Sequence, residues 1–319
     1  MDATPAVRAR GIQKSFGEVI ALDGVDLDVA EGQVHGLVGP NGAGKTTLLG
    51  LLLGLATADG GTLEILGHPV GGNHALPDGV AGFVDGPGLY PSLTARQNLA
   101  ALASLRGSGA SGIVEALAQV GLSDVADERV RGFSLGMRQR LGRSAALLTQ
   151  PRVLVLDEPA NGLDPAGTRH VHRVLSGLAA RGTSIIISSH RMDELAALCD
   201  EVTVLATGRV VFAGPVQTLA AKSGVLDYRL RTSDPVLARR TASETPDLRV
   251  LTGDELPLRR DADTLVVSGS VPALDELVTR LVRGGVAVRE LAPLVAPLEA
   301  AFLALTDADP ALSDAMVPS

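Results

Sequence analysis

A single cysteine, no tryptophan, two tyrosines and five phenylalanines serve a chain of 319 residues. One cysteine, Cys199, excludes an intramolecular disulfide and fits a reducing compartment. Aromatics make up 2 % of the chain and hydrophobic residues 45 %, so the core must be built from Leu, Val, Ile and Ala. No stretch approaches ~18 uninterrupted apolar residues, so none reads as a membrane span. The first ten residues lack the apolar centre of a signal peptide. Any service to a membrane would therefore run through a partner. The formal net charge is −8, which argues against a broad electrostatic surface for nucleic acid. Lysine is scarce as well: Lys14, Lys45 and Lys222 are the only ones, so the position of each carries weight.

The hydrophobic pattern changes along the chain. Residues 8–30 read as two strands around a turn at Ser15–Glu18, the second alternating apolar and acidic side chains with period two. His35-Gly-Leu-Val-Gly39 is a short apolar run that enters a Gly-rich loop, and Thr46–Leu55 behind the loop reads as a helix. Val153–Asp157 and Ser184–Ser188 are continuous apolar runs suited to a parallel sheet covered on both faces, with a helix at Ala166–Arg181 between them. Residues 92–149 carry helical Leu/Ala periodicity and read as a helical insertion. Beyond a hinge at Ser223-Gly224, strands are expected at Leu226–Leu230, Thr264–Val267 and Val286–Arg289, and helices at Val271–Val282 and Pro297–Leu305. These would form a small α+β domain of ferredoxin-like type. The expected division is an α/β domain over 1–222, an accessory domain over 225–306 and a disordered tail over 307–319.

Two constellations carry chemistry. Gly39-Pro-Asn-Gly-Ala-Gly-Lys-Thr46 matches G-x-x-x-x-G-K-[ST], with a buried strand before it and a helix after it. Glycines there remove Cβ atoms that would keep several backbone N–H groups from converging on phosphate oxygens. The helix beginning near Lys45 adds its positive end. Gly39, Pro40, Asn41, Gly42, Ala43, Gly44, Lys45, Thr46 and Thr47 are therefore candidate nucleotide-binding residues. Lys45 offers a point charge for the outer phosphates, and the Thr46 hydroxyl is placed for Mg²⁺. The second constellation is Asp157-Glu158 at the end of a buried strand, where open α/β sheets bind ligands. Asp157 is the candidate to hold Mg²⁺ through water, and Glu158 to align the attacking water.

Phe133-Ser-Leu-Gly-Met-Arg-Gln-Arg140 narrows the class, because it resembles the signature of ABC ATPases. Other landmarks of that family fall in order around it. Phe16 stands where an aromatic stacks on adenine. Pro159-Ala-Asn-Gly-Leu-Asp164 resembles the D-loop, and Ser188-Ser-His190 the switch with its histidine. The resemblance covers roughly residues 8–215. It implies an α/β P-loop NTPase with a helical signature subdomain, two copies facing head to tail, and two ATP molecules sandwiched between them. Ser134 and the backbone at Gly136 would then reach the γ-phosphate bound by the partner. His190 would hold the γ-phosphate and the water, and Asp164 would relay between sites. Taken alone, Ser134 reads as a plain N-cap sooner than as a phosphate ligand.

The sequence departs from the family at two places. Leu135 and Met137 replace a glycine and a glutamine of the signature. Asp85, in Gly82-Phe-Val-Asp-Gly-Pro-Gly-Leu-Tyr-Pro91, stands where a coupling glutamine is usual. Both departures are similar to bacitracin-resistance and lantibiotic-immunity exporters. Pro297-Leu-Glu-Ala-Ala-Phe-Leu-Ala-Leu-Thr306 resembles the ending of drug-exporter ATPases of the daunorubicin type. The resemblance implies an ATP- and Mg²⁺-dependent subunit, peripheral on the cytoplasmic face of the plasma membrane, that drives a separate integral permease and exports a hydrophobic compound. A second ATPase subunit, expected to be a copy of this chain, would complete it, with no nucleic acid involved. The rival readings are an importer subunit and a soluble ABC protein acting on ribosomes or DNA. Ribosomal types carry two cassettes in one chain and DNA-repair types interrupt the cassette with coiled coil. This chain has one P-loop, about 110 residues before the acidic strand, and no heptad run.

Overall fold

A computed structural model describes residues 5–71, 76–84, 86, 88–105, 112–148, 150–252 and 264–307. By its internal contacts the chain divides after Val216, earlier than the expected limit at 222.

The first unit is built from three layers. An antiparallel sheet is formed by β1 (Val7–Phe16), β2 (Val19–Val29), then β4 (Gly60–Ile65) and the short β5 (His68–Pro69), in the order β2-β1-β4-β5. Between β2 and β4 the chain runs through β3 (Val34–Val38) and helix α1 (Lys45–Leu52). β3 belongs to a second sheet, completed by β6 (Val80–Phe83), β7 (Val153–Leu156), β8 (Ser184–Ser188), β9 (Glu201–Ala206) and β10 (Arg209–Pro215), in the order β10-β9-β3-β8-β7-β6. β9, β3, β8, β7 and β6 run parallel, and β10 is antiparallel at one edge. Every residue of β3, β7 and β8 is buried, as uninterrupted apolar runs covered on both faces require. One apolar cluster joins the layers: Val7, Ile12 and Val25 of the antiparallel sheet meet Leu48, Leu49 and Leu52 of α1, and Val155 and Ile186 lie beneath.

Between β6 and β7 the chain makes the helical insertion: α2 (Ala95–Leu105), α3 (Ile113–Gln119), two single 3-10 turns (Ser123–Val125, Val130–Gly132) and α4 (Leu135–Leu147). It has its own core of Leu99, Leu117, Phe133 and Leu141. Helix α5 (Pro165–Ala179) joins β7 to β8, and α6 (Met192–Leu198) joins β8 to β9. Pro165 sits in the first turn of α5 and the Asp164 carboxylate caps it from Gly167 N–H at 2.7 Å, a proline-after-cap start that costs no helical hydrogen bond. After β10 come α7 (Val216–Ala220) and a 3-10 turn (Ala221–Ser223), which from Gln217 onward belong to the second unit.

The second unit holds β11 (Leu226–Thr232), α8 (Pro235–Ser243), β12 (Leu248–Val250), β13 (Thr264–Gly269), α9 (Val271–Arg283), β14 (Val288–Pro293) and α10 (Pro297–Asp307). Its sheet order is β12-β13-β11-β14, antiparallel throughout. That is the βαββαβ arrangement of ferredoxin-like domains. Leu230, Ala238, Leu265, Leu274 and Leu277 form its core. Helix α8 and strand β12 were absent from the sequence expectation. Only Ala238 and Ala242 of α8 are buried, too small a face to give a clear period. Residues 308–319, where a disordered tail was expected, lie outside the described residues.

Candidate functional site

The phosphate loop runs from the end of β3 into α1, at the carboxyl edge of the parallel sheet. Two close approaches fix its glycines. A Cβ on Gly39 would lie 2.3 Å from the Leu205 carbonyl oxygen, and one on Gly44 2.4 Å from that of Ala21. Gly44 also has φ of +100° at the N-cap of α1, a conformation that other residues avoid. The Lys45 ammonium is buried and donates to the carbonyls of Gly39 at 2.7 Å and Pro40 at 2.9 Å. Burial holds its pKa below the usual lysine value, and the nearby charges of Glu158 and Asp157 partly offset this. A cleft of about 350 Å³ opens over the loop. Asn41, Gly42, Gly44, Lys45, Thr46 and Thr47 line it on one side, Asp157 and Glu158 on another.

The acidic pair is held by the strand between β3 and β7. Ser188, at the end of β8, donates its hydroxyl to Asp157 Oδ1 and accepts from the Glu158 N–H at 2.9 Å. The other oxygen of Asp157 accepts from the Thr46 hydroxyl at 3.4 Å. Glu158 has φ of +48°, a left-handed backbone that a non-glycine residue adopts at a cost. Its carboxylate meets His190 Nδ1 at 2.7 Å. Behind His190 the chain is braced by the buried Glu194, which accepts from Ser189 Oγ at 3.1 Å and pairs with Arg191 at 2.9 Å. Lys45, Thr46, Asp157, Glu158 and His190, spread over 145 positions of sequence by number, therefore come together at one edge of one sheet.

The remaining expected residues are Phe16, Ser134, Gly136, Asp164 and Asp85. Phe16 ends β1, 54 % exposed, with Lys14 Nζ 5.3 Å from its ring centre. Ser134 and Gly136 begin α4, and the Ser134 hydroxyl accepts from Met137 N–H at 3.2 Å, so it is an exposed N-cap. Neither lines the cleft over the phosphate loop. Asp164 caps α5. Asp85 lies outside the described residues. Sequence reasoning missed Val19 and Ile20, which are 67 % and 62 % exposed and line the cleft beside the loop. A pair of exposed apolar residues next to the Phe16 turn was the available signal. It also gave no role to Ser188, whose place between two carboxylate-bearing groups follows from strand order alone.

Residues 22–161 match the family model described as ABC transporter. Across the whole chain, the daunorubicin resistance ATP-binding protein DrrA3 of Streptomyces coeruleorubidus is 34 % identical, the alignment covering 98 % of this chain and 99 % of that protein. The chain belongs to the ABC transporter ATP-binding proteins. The bacitracin transport ATP-binding protein BcrA of Enterococcus faecalis is 39 % identical over 208 residues, 64 % of this chain and 68 % of that one. A solved ATP-binding subunit of an ABC transporter superposes with a TM-score of 0.62 at 26 % identity, covering 68 % of this chain and 92 % of that one. A nucleotide-free ATP-binding cassette gives 0.61 at 25 %, covering 66 % and 92 %. The first unit of this ABC ATPase is thus the cassette. The likeness to the daunorubicin resistance protein runs over nearly the whole chain and so takes in the second unit.

Proposed function

We propose that the chain hydrolyses ATP to drive a separate membrane permease that exports a drug, antibiotic or other hydrophobic compound, and that it works as a head-to-tail pair. The Glu158–His190 contact beside the phosphate loop carries the hydrolytic part. Lys45 and the loop amides would hold the β- and γ-phosphates. Glu158 would accept a proton from the attacking water, and His190 would keep that carboxylate aimed and reach the γ-phosphate. Phe16, with Val19 and Ile20, offers an apolar platform for the adenine.

Thr46 and Asp157 give a hydroxyl and a carboxylate oxygen 3.4 Å apart. Among the described residues no cluster of three or more His, Cys, Asp or Glu side chains could cage a metal. That donor set fits magnesium, which keeps several waters and shares phosphate oxygens. Bound there, the ion would neutralise charge on the transferring phosphoryl group.

Ser134 and Gly136 stand away from their own chain's cleft, which favours a partner cassette supplying them to each nucleotide. Among the described residues no helix is long and apolar enough to cross a membrane, so transport would need a permease chain and the cassette would sit peripherally on the cytoplasmic face. Export is favoured by the whole-length likeness to a daunorubicin resistance protein. It is favoured too by a 35 % identical Nod factor export protein of Paraburkholderia xenovorans, over 79 % of this chain. In Glu158→Gln, turnover is expected to fall by about 100-fold or more while ATP still binds. Turnover as fast as wild type would remove the assigned base.

A further inference from the structure

The segment carrying Glu158 is fastened to α4 at three places. Leu135 lies over Gly162, where an added Cβ would come within 2.6 Å of its Cδ2. Leu163 lies over Gly136 in the same way, at 2.9 Å. At the third place Arg143 Nη1 donates to the Pro159 carbonyl at 2.9 Å. Pro159 is the residue next to Glu158, so this bond grips the peptide one residue beyond the left-handed one.

Arg143 is the unusual member of this set. It is 3 % exposed, whereas arginine is almost never fully buried unless paired. Its Nη2 is buried without a hydrogen-bond partner. Burial, with the nearby charge of Arg140, brings its pKa down to about 10. Gln139, one turn earlier on the same face, is also buried with its Oε1 unpartnered, and it lines a cavity of about 400 Å³ with Asp157, Glu158 and Asn161. An apolar side chain of similar length at 143 would avoid the desolvation cost that a buried guanidinium carries. What the guanidinium does, and an apolar residue could not, is hold the Pro159 carbonyl.

We infer that Arg143 is a positioning residue for ATP hydrolysis: from α4 it braces the Pro159 carbonyl and so keeps the Glu158 carboxylate on His190. Glu158 is then held from both sides, its own N–H by Ser188 and the next carbonyl by Arg143. Helix α4 thereby carries at its first turn the residues proposed to serve the partner's nucleotide, and further along the brace for its own chain's base. The inference rests on the ATPase reading above and adds a residue to it.

The test is steady-state ATPase of the full-length chain in wild type, Arg143→Met and Arg143→Lys, with kcat and KM for ATP measured separately and thermal unfolding followed alongside. Methionine fills the space without a donor; lysine restores one. The expected result is a kcat about 10- to 100-fold lower in Arg143→Met, the scale on which a small misplacement acts, with KM within about two-fold and most of kcat recovered in Arg143→Lys. Wild-type kcat in Arg143→Met overturns the inference. So does a lowered unfolding midpoint with kcat per folded molecule unchanged, which is the mark of a structural role alone. If the methionine variant does not fold, Arg143→Gln replaces it: a neutral side chain that keeps a donor and should hold kcat near wild type. A Gln variant that folds but turns over as slowly as Glu158→Gln would overturn the hydrogen-bond account. A wild-type chain with no turnover that Glu158→Gln abolishes would remove the ATPase reading and this inference together.

Discussion

At the scale of single residues, buried polar groups decide what the site can do and how the fold responds to pH. His35 is the second residue of β3, 2 % exposed, with Nε2 against Thr203 Oγ1 at 2.9 Å. Burial lowers its pKa from 6.5 to about 4. Between those values the unfolded chain binds a proton that the folded chain refuses, so stability is complete above pH 6.5 and declines as pH falls towards 4. The loss amounts to about 3 kcal/mol once both values are passed. Denaturant midpoints measured from pH 7.5 down to 4 should show this decline in wild type and a shallower one in His35→Gln. Equal slopes in the two proteins would clear His35 of the effect. Cys199 illustrates the opposite case: burial raises its thiol pKa to about 12, so it should stay unmodified by thiol reagents while the chain is folded. Labelling under native conditions at the rate of the denatured chain would contradict that.

At the scale of elements, the contact between α4 and the 158–164 segment makes a testable pair. Gly162→Ala places a side chain at φ of +71° and pushes on Leu135. The left-handed backbone alone should cost about 1–2 kcal/mol, and the clash adds to it. Leu135→Ala relieves the clash and leaves the backbone cost. The double variant should therefore be less destabilised than the sum of the singles, by about 0.5 kcal/mol or more in a double-mutant cycle; strict additivity would mean the two side chains do not meet.

The same elements mark what could be read without a structure. The strand–loop–helix around Lys45 and the strands at 153–157 and 184–188 were legible because uninterrupted apolar runs have few alternatives and the loop's spacing is set by phosphate geometry. Helix α8 had its signal in Asp234-Pro235, a cap followed by a first-turn proline, but too small an apolar face to be noticed. Helix α1 ends at Leu52, not Leu55, since the apolar run continues past the last helical bond. The left-handed Glu158, the bond from Arg143 and the hold of Ser188 on Asp157 and Glu158 depend on which strands are neighbours. No local pattern specifies that order. Asp85 could be singled out only by likeness to a family, and it lies outside the described residues.

At the scale of the whole molecule, two units follow one another along the chain, with nucleotide contacts proposed only in the first. Unfolding should therefore proceed in two transitions. ATP with Mg²⁺ at about 100 times its dissociation constant should stabilise the first unit by about 2.7 kcal/mol and leave the transition of residues 217–307 in place. A single transition moved as one by ATP would show that the units do not unfold separately. Among the described residues no helix of either unit is long and apolar enough to cross a membrane, and the transport reading gives that step to another chain.

That dependence on another chain is the central claim, and purification of the chain from its native membranes in mild detergent tests it most directly. The account predicts that a polytopic protein with about six or more spans accompanies it in a fixed ratio. A chain recovered wholly from the soluble fraction, or together with ribosomes or DNA, would contradict the transport reading and leave only an ATPase.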